Sequence, residues 1–356
     1  MVGQSEVVRC RDVMGVLREI TVDDVNEFVS PGSVLQQRLV RVNQRVYVRK
    51  YVSRAAGRQN PRLYELLENE VRAGTRLGQV FHDAYPRELA RLVAYNVDVE
   101  EPFVLLHEYI GEPAAGAVTR FDDARRRRFE HELLRALWLT ALAGVVHGAV
   151  TMDVVRWDDG RLQLVDFEFA ERIGEPRRRG GGSLARSPEQ LAGTGLVDTR
   201  DDLWAAGLLI RELHLGVRST GARPDRDHDP ERLRALLDPV FGNPVERRPY
   251  AADLLDMLRG DSRVPAFTNP DAVIAAGRDM FELVSRGKRG PVAPPVGDWQ
   301  DQSADTHKPQ ADTSNPPEAW KPAGSWSLPE AWDRRVVTVV AAFVIALLIT
   351  GMVVLS

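Results

Sequence analysis

The chain has 356 residues but very little cysteine, and it begins without an apolar run. Cys10 is its only cysteine, so no disulfide can form within the chain and no cysteine metal cluster is possible. A reducing compartment fits this composition best. The segment Met1–Arg11 lacks the basic start and apolar core of a secretory signal peptide, so we expect the bulk of the chain to stay in the cytosol.

A strong charge of one sign is also absent. Lysine and arginine number 47 against 51 aspartates and glutamates, which gives a net charge of -4. A general nucleic-acid-binding protein would need a strongly basic face, so we expect no nucleic-acid partner. The hydrophobic share of 44% and the charged share of 28% are ordinary for a globular protein, and a sizeable core is therefore possible.

One long apolar run lies near the end of the chain. The segment Val336–Leu355 reads VVTVVAAFVIALLITGMVVL and contains no charged residue. As a helix rising about 1.5 Å per residue it would span about 30 Å, the thickness of a bilayer core. Arg334 and Arg335 precede it, and positive residues favour the cytosolic side. The pattern predicts a transmembrane helix over residues 336–356 that anchors a cytoplasmic N-terminal domain to the cell membrane as a single-pass tail anchor.

Residues 287–335, before this helix, are rich in Pro, Asp, Ser and Gly and lack sustained periodicity. Such a composition cannot bury enough apolar surface to fold, so we expect a disordered linker. The sequence PEAW occurs in it twice, at Pro317–Trp320 and Pro329–Trp332, either as a short docking motif or by chance duplication. An additional helix is expected just before the linker, over residues 263–286.

The rest of the chain has the patterns of a globular α+β protein. Two β-branched, alternating segments and three helical patterns follow one another: Val34–Val42, Arg45–Val52, Pro61–Leu77, Phe129–Ala143 and Asp202–Leu213. This order predicts a small β-rich lobe over residues 33–110 and a larger helical lobe over residues 111–262. Residues 1–32 are left as an N-terminal extension.

The segment His147–Ala170 carries the most specific pattern, HGAVTMDVVRWDDGRLQLVDFEFA. Two strands around the turn Asp158–Gly160 predict a hairpin. The hairpin delivers Asp166 to the end of a strand. A carboxylate there suits a magnesium–phosphate site, because hard cations prefer oxygen ligands.

This segment resembles the catalytic loop and metal-binding motif of Hanks-type protein kinases, in which His-Arg-Asp-Leu-Lys-Pro-x-Asn precedes a hairpin and Asp-Phe-Gly. His147 matches the histidine and Asp166 the metal-binding aspartate. Ala149 falls on the aspartate that accepts the substrate hydroxyl proton, and Val154 on the asparagine that binds the second metal. Alanine cannot accept a proton and valine cannot ligate magnesium. A one-residue shift would offer Asp153 as a substitute ligand.

Three further positions depart from the family pattern. Thr151 falls on the loop lysine, and Glu168 replaces the glycine after Phe167. Gly148 replaces the arginine that pairs with a phosphorylated activation segment, so we do not expect control by that phosphorylation. The corresponding segment contains Arg177–Gly182, whose repeated charge and glycines predict a flexible loop, either solvated or bound to an acidic partner or phosphopeptide.

The structural landmarks of the family are better kept. Ser187-Pro188-Glu189 resembles the Ala-Pro-Glu that closes the activation segment, in a form common in bacterial members. The resemblance implies that Asp202 holds the backbone of the catalytic loop and that Glu189 pairs with Arg248. We expect four structural residues: His147, Glu189, Asp202 and Arg248. The resemblance covers about Ser33 to Gly260.

The β-rich lobe matches less well. Only Gly32 lies near the position of the family's glycine-rich loop, so the phosphate cradle is missing or degenerate. The strand lysine is Lys50 or, alternatively, Arg49 takes its position. Strand alternation places Val48 and Lys50 on one face, which favours Lys50.

Glu70, with Glu68 as the alternative, best matches the helix glutamate that pairs with the strand lysine. The strand Phe103–Tyr109 ends in His-Glu-Tyr, like the hinge that meets adenine. The resemblance implies a nucleotide site, and magnesium on Asp166, from these residues: Lys50, Glu70, His107, Glu108, Tyr109 and Asp166.

Kept scaffold residues beside lost catalytic ones favour a membrane-anchored bacterial pseudokinase. It would act as a scaffold or regulatory signalling partner of an unknown protein, with little or no phosphoryl transfer. Two alternatives stay open. One is an atypical active serine/threonine kinase that uses Asp153 and Asp166, and the other is a switch that binds ATP and Mg without transfer.

Overall fold

A computed structural model describes residues 5–179, 185–216, 218, 224–259, 266–269 and six residues between 271 and 279. The chain divides into two units, Met1–Gly290 and Pro291–Ser356, and every described residue belongs to the first. The predicted linker, its PEAW repeats and the predicted helix Val336–Leu355 lie outside the described residues. Within the part that is described, no helix is long and apolar enough to cross a membrane.

The N-terminal lobe is built on a closed six-stranded barrel with the strand order β1-β2-β3-β4-β6-β5. Its strands are β1 Ser5–Asp12, β2 Leu17–Glu27, β3 Gln36–Val42, β4 Arg45–Tyr51, β5 Leu92–Asn96 and β6 Phe103–His107. Every pair of neighbouring strands is antiparallel. Apolar side chains fill the interior because they alternate along the strands: Val8, Cys10, Val22, Val40, Val42, Ala94, Phe103 and Leu105.

From Ser5 onward, the N-terminal extension predicted over residues 1–32 is instead part of this lobe. β1 pairs with β2 from Ser5↔Asp23 onward and also with β5 at Arg11↔Tyr95, which closes the barrel. The physical reason is the alternation in β1, which buries Val8 and Cys10 and leaves their neighbours in solvent. The predicted boundary at residue 33 falls in the loop between two barrel strands.

Two helices follow β4. The first is α1, Arg54–Gln59, whose N-terminal amide Ala56 N donates to the side chain of Ser53. The second is α2, Arg62–Phe81, which packs its apolar side on the barrel and on the second lobe through Leu67 and Leu77. The same side of α2 carries Glu70 into the interior.

The C-terminal lobe is mainly helical. Its helices are α3 Ala114–Ala117, α4 Asp123–Leu142, α5 Pro188–Ala192, α6 Asp201–Leu215, α7 Glu231–Phe241 and α8 Ala251–Met257. Its short strands are β7 Glu112–Pro113, β8 Val145–Val146, β9 Val155–Asp158, β10 Arg161–Leu164 and β11 Glu171–Arg172. The central helix α4 contributes the buried residues Phe129, Leu133 and Leu137 to one core that continues into the N-terminal lobe. The predicted α+β arrangement of a small β-rich and a larger helical lobe is confirmed.

The predicted hairpin is formed by β9 and β10. Asp159 and Gly160 have φ values of 43° and 87°, the left-handed conformation that a two-residue turn between twisted strands requires. Two residues beyond β10, Asp166 is also left-handed, with a φ of 63°. The hairpin therefore delivers Asp166 to the boundary between the lobes.

The predicted additional helix over residues 263–286 is described only in part. Residues 271, 272, 274, 275, 278 and 279 are helical. The backbone N–H of Thr268 donates to the carbonyl of Val80 at 2.8 Å. Asp271 accepts from Arg76 at 2.6 Å, so this segment lies against α2.

Candidate functional site

A cluster of four charged side chains lies between the lobes. Lys50 on β4 places its Nζ 2.8 Å from Glu70 on α2, 2.7 Å from Asp166 and 2.9 Å from Glu168. All four side chains are at most 1% exposed. The structure thus brings together Lys50, Glu70 and Asp166, which the sequence predicted for one site, and adds Glu168.

The ammonium group of Lys50 has three N–H donors. Two of them donate to Glu70 and Glu168, and Asp166 forms a third ion pair with the ammonium group at 2.7 Å. Burial lowers the pKa of Lys50, but the three carboxylates, Asp166 foremost, raise it well above its ordinary value. Lys50 is therefore charged, and three carboxylates of the protein already surround the ammonium group that would bind a phosphate.

Negative charge exceeds positive charge in this cluster. Burial raises the pKa of Glu70 to about 7, against the attraction of Lys50. A buried excess charge is unfavourable unless polar groups compensate it. Glu70 reduces the excess because it retains its proton over most of the acidic range.

The β2–β3 loop, Phe28–Leu35, supplies the remaining compensation. The hydroxyl of Ser30 donates to Asp166 Oδ2 at 2.6 Å, and Ser30 is itself 1% exposed. The hydroxyl of Ser33 donates to Glu168 Oε1. The backbone N–H of Val34 donates to Glu168 Oε2 at 2.8 Å. The loop thus binds the two carboxylates that follow β10.

Two further polar side chains reach Asp166 from the N-terminal lobe and the connection between the lobes. Gln37 Nε2 and the Tyr109 hydroxyl each lie 3.4 Å from Asp166 Oδ1. Phe28 packs edge-on against the Tyr109 ring with 5.9 Å between centroids. Tyr109 therefore faces the cluster and is buried there.

The other two residues of the predicted hinge, His107 and Glu108, do not reach the Lys50 cluster in the described structure. His107 ends β6, is partly buried and stacks near Tyr47 at 5.5 Å between ring centroids. Burial lowers the pKa of His107. Glu108 is exposed.

The catalytic-loop segment is held by α6. Asp202 accepts the backbone N–H groups of His147 at 2.6 Å and Gly148 at 2.9 Å. Burial raises the pKa of Asp202 to about 7, although both N–H groups oppose the rise. His147 bonds the carbonyl of Val165 at 2.9 Å, and burial lowers its pKa to about 4. His147 is therefore neutral at physiological pH and supports the backbone beneath Asp166.

Ala149 lies at the edge of a separate pocket of about 320 Å³. Thr151, Asp153 and Val154 also line it. Asp153 is half-buried, and the described residues show no hydrogen bond between its side chain and the Lys50 cluster. Val154 is 2% exposed and contacts Gly32 of the β2–β3 loop.

The predicted structural pair is present. Arg248 Nη2 lies 2.7 Å and 2.8 Å from the two carboxylate oxygens of Glu189. The guanidinium of Arg248 also stacks on the ring of Trp204 at 5.0 Å. This pair fixes the end of the activation segment on the helical lobe.

Sequence reasoning did not find Ser30, Ser33 or Gln37. The only local signal was the polar, glycine-containing sequence Ser-Pro-Gly-Ser between two strand patterns. Glu168 was recognised as a departure from the family pattern, but its contact with Lys50 depends on tertiary packing.

The residues present do not fit a nucleotide with magnesium in this arrangement. Lys50 is ion-paired with three carboxylates, Asp166 is engaged by Lys50 and Ser30, and the Val154 side chain offers no oxygen. The part of the chain that the structure describes contains no group of three side chains able to hold a metal ion. The β2–β3 loop also closes on Asp166 and Glu168 through Ser30 and Ser33.

Comparisons with known proteins agree with the architecture. No family model matches the chain. Over 132 residues, 36% of the chain, it is 31% identical to cyclin-dependent kinase 7 of Xenopus laevis and 29% identical to that of Carassius auratus. The matches span only 36% and 37% of those relatives. The structure of the Cydia pomonella granulovirus kinase matches with a TM-score of 0.52 at 14% identity, over 66% of this chain and 92% of that one. The chain therefore has a protein-kinase-like fold.

Proposed function

We propose that the chain is a membrane-anchored pseudokinase, a degenerate relative of the bacterial Hanks-type kinases, which acts as a scaffold or regulatory signalling partner. One observation carries the proposal. The ammonium group of Lys50 is ion-paired with three carboxylates, those of Glu70, Asp166 and Glu168, so the side chain that would bind ATP phosphates is neutralised within the protein.

The missing side chains at the catalytic positions 149 and 154 also reduce phosphoryl transfer. Phosphoryl transfer depends on positioning and on stabilising charge, because the transition state makes few covalent demands on the protein. Ala149 supplies no proton acceptor and Val154 no metal ligand. The β2–β3 loop closes on Asp166 through Ser30. Each loss alone reduces transfer, and together they leave no complete catalytic centre.

Nucleotide binding and phosphate transfer by the purified full chain test the proposal. We expect millimolar MgATP to leave the melting temperature unchanged and radiolabelled ATP to transfer no phosphate to a generic protein substrate. Transfer that Asp166→Asn abolishes would refute the proposal. If Asp153→Asn also abolishes it, the chain is an atypical active kinase. A thermal shift without transfer identifies an ATP-binding switch.

The membrane part of the proposal rests on the uncharged segment Val336–Leu355. We expect the full chain to remain in membranes after alkaline carbonate extraction. Val344→Arg with Leu348→Arg places two charges mid-segment, each unfavourable by about 3 kcal/mol on insertion scales, and should release the chain. Release of the unchanged chain by carbonate would show that it is not anchored.

A further inference from the structure

A groove of about 780 Å³ lies on the outer side of α2, separate from the Lys50 cluster. Its walls are α2, described residues between Phe169 and Arg179, Arg186, and the helical residues at 271 and 274. We call it the arginine groove. Apolar side chains contribute to its lining: Leu66, Val71, Ala73, Val145, Phe169 and Ile274.

Positive charge predominates in the arginine groove. Seven arginines line it: Arg62, Arg72, Arg76, Arg172, Arg178, Arg179 and Arg186. Four carboxylates line it as well: Glu65, Glu171, Glu175 and Asp271. Seven positive minus four negative charges leave an excess of three positive charges, which falls to two when Glu68, the partner of Arg72 at 2.7 Å, is included.

The ion pairs within the groove do not neutralise this excess. Arg76 and Arg172 share the single carboxylate of Asp271, at 2.6 Å and 3.0 Å. Among the described residues, the guanidinium groups of Arg62 and Arg178 form no ion pair within 4 Å, and both side chains are exposed. The backbone N–H of Arg178 donates to the Glu171 carboxylate. Both guanidinium groups are therefore accessible to an anionic ligand.

Two arginines next to Arg178 in the sequence bond to the protein itself. Arg177, which the sequence grouped with Arg178 and Arg179, is buried and forms two 3.0 Å bonds to Asp201. Arg179 donates to the carbonyl of Ala192 at 2.9 Å and remains exposed. The segment is thus anchored at Arg177, and the next two arginines face outward. The predicted glycine-rich remainder lies outside the described residues.

The spacing of the charges indicates the shape of the ligand. Arg62 and Arg76 are fourteen positions apart on α2, which corresponds to about 21 Å along the helix. One phosphate group cannot contact charges distributed over that length. An extended peptide covers it with about six or seven residues at about 3.3 Å each. Because the lining contains both charged and apolar side chains, acidic and apolar residues suit such a peptide together.

We infer that the arginine groove binds an acidic peptide segment of a partner protein, in which several carboxylates alternate with apolar side chains. The inference adds a partner class to the proposed scaffold role. The groove residues are distinct from those of the Lys50 cluster. If nucleotide binding overturned the scaffold proposal, the peptide measurement would therefore still test the groove by itself.

The test uses the full chain and fluorescence polarisation. The probe is a fluorescein-labelled peptide of about seven residues that alternates glutamate and leucine. We expect saturable binding that weakens as salt rises, because mobile ions screen exposed charges. The double variant Arg62→Glu and Arg178→Glu should bind at least about tenfold more weakly, since two attractions become repulsions.

A matched variant controls for the overall change in charge. Arg41 on β3 and Arg127 on α4 are exposed and do not line the groove. Arg41→Glu with Arg127→Glu should bind the peptide within about twofold of the unchanged chain, because exposed charges beyond a screening length contribute little. Unchanged thermal melts for both variants confirm that each is folded.

Three results would overturn the inference. The first is no saturable binding of the glutamate–leucine peptide. The second is an equal loss in the groove variant and the control variant. The third is tighter binding of a glutamine–leucine peptide that carries one phosphoserine, which would indicate a phosphate site instead.

Discussion

Gly32 lies directly against Val154. A Cβ atom built on Gly32 would stand 2.4 Å from Val154 Cγ1 and 3.1 Å from the Val154 backbone nitrogen. The β2–β3 loop, which closes on Asp166, therefore depends on a glycine at position 32 and on an uncharged side chain at position 154. The valine that removes a metal ligand also forms the surface on which the loop packs.

The first prediction concerns this contact. Gly32→Ala should lower the free energy of unfolding by about 1–3 kcal/mol, because the added methyl group overpacks the site. Gly32→Ala combined with Val154→Ala should recover part of the loss, since Cγ1 is gone. Urea denaturation of the two single variants and the double variant gives the coupling energy.

Gly116 provides the control for that series. A Cβ there would meet only a glutamate oxygen of Glu112, at 3.8 Å, so Gly116→Ala should be neutral or stabilising. Additive effects of Gly32→Ala and Val154→Ala would show that the two positions do not support each other.

The second prediction concerns the buried cation. Lys50→Met leaves Glu70, Asp166 and Glu168 without their shared partner and should reduce the free energy of unfolding by about 3–5 kcal/mol at neutral pH. Arg45→Met at the start of the same strand should cost less than about 1 kcal/mol, because Arg45 is exposed. Urea denaturation measures both. Similar losses in the two variants would contradict the role given to the Lys50 cluster.

The third prediction is a pH dependence of stability. The folded-state pKa values of Glu70 and Asp202 are about 7, above ordinary values of 4.5 and 3.8. The stability that these two carboxyl groups contribute to the folded state is fully present below their ordinary pKa values and is lost as pH rises through about 7. His147, with a folded-state pKa of about 4 against 6.5, acts in the opposite direction, and its contribution is complete above pH 6.5.

Stability should therefore fall as pH rises from 6.5 through about 7, where the two acids alone act. Each acid contributes a slope of at most about 1.4 kcal/mol per pH unit. Glu70→Gln should make this decline shallower, whereas Glu68→Gln on the exposed side of α2 should not. Denaturation midpoints across the pH series measure the slopes, and identical slopes in both variants would exclude Glu70 as a titrating group.

The fourth prediction addresses the closed nucleotide site. Glu168→Gly removes one carboxylate from Lys50 and two acceptor oxygens from the β2–β3 loop. We expect MgATP to raise the melting temperature of this variant but not that of the unchanged chain, because ligand binding to the folded state stabilises it by mass action. Glu175→Gly, an exposed position, is the control. No ATP shift in the Glu168→Gly variant would show that Glu168 is not the decisive block.

Much of this arrangement follows from the sequence, for identifiable reasons. The hairpin around Asp159 and Gly160, and the contacts of Asp202 and Arg248, depend on motifs with fixed local spacing. The face of β4 that buries Lys50 follows from strand alternation, which is equally local. These features could be predicted because each is determined by neighbouring residues.

The features that were not predicted depend on contacts distant in sequence. Ser30 and Asp166 are 136 residues apart, and Ser33 and Glu168 are 135 apart. No local pattern shows that such side chains meet. The alternation in β1 is local, but it does not show which strands β1 pairs with. That β1 and β2 belong to the barrel follows only from the pairing of β1 with β5, which lies about eighty residues later in the sequence.

The closure of the N-terminal barrel by β1 has a consequence for how other proteins can bind. Many partners add a strand to the open edge of a sheet and gain affinity from backbone hydrogen bonds. In the described N-terminal lobe β4 and β6 are paired along both edges, so that mode of recognition is closed to these two strands, whereas β1 meets β5 only at Arg11 and Asp12. Partners that meet β4 or β6 have to recognise side chains on the surface, and point substitutions there should therefore redirect the choice of partner.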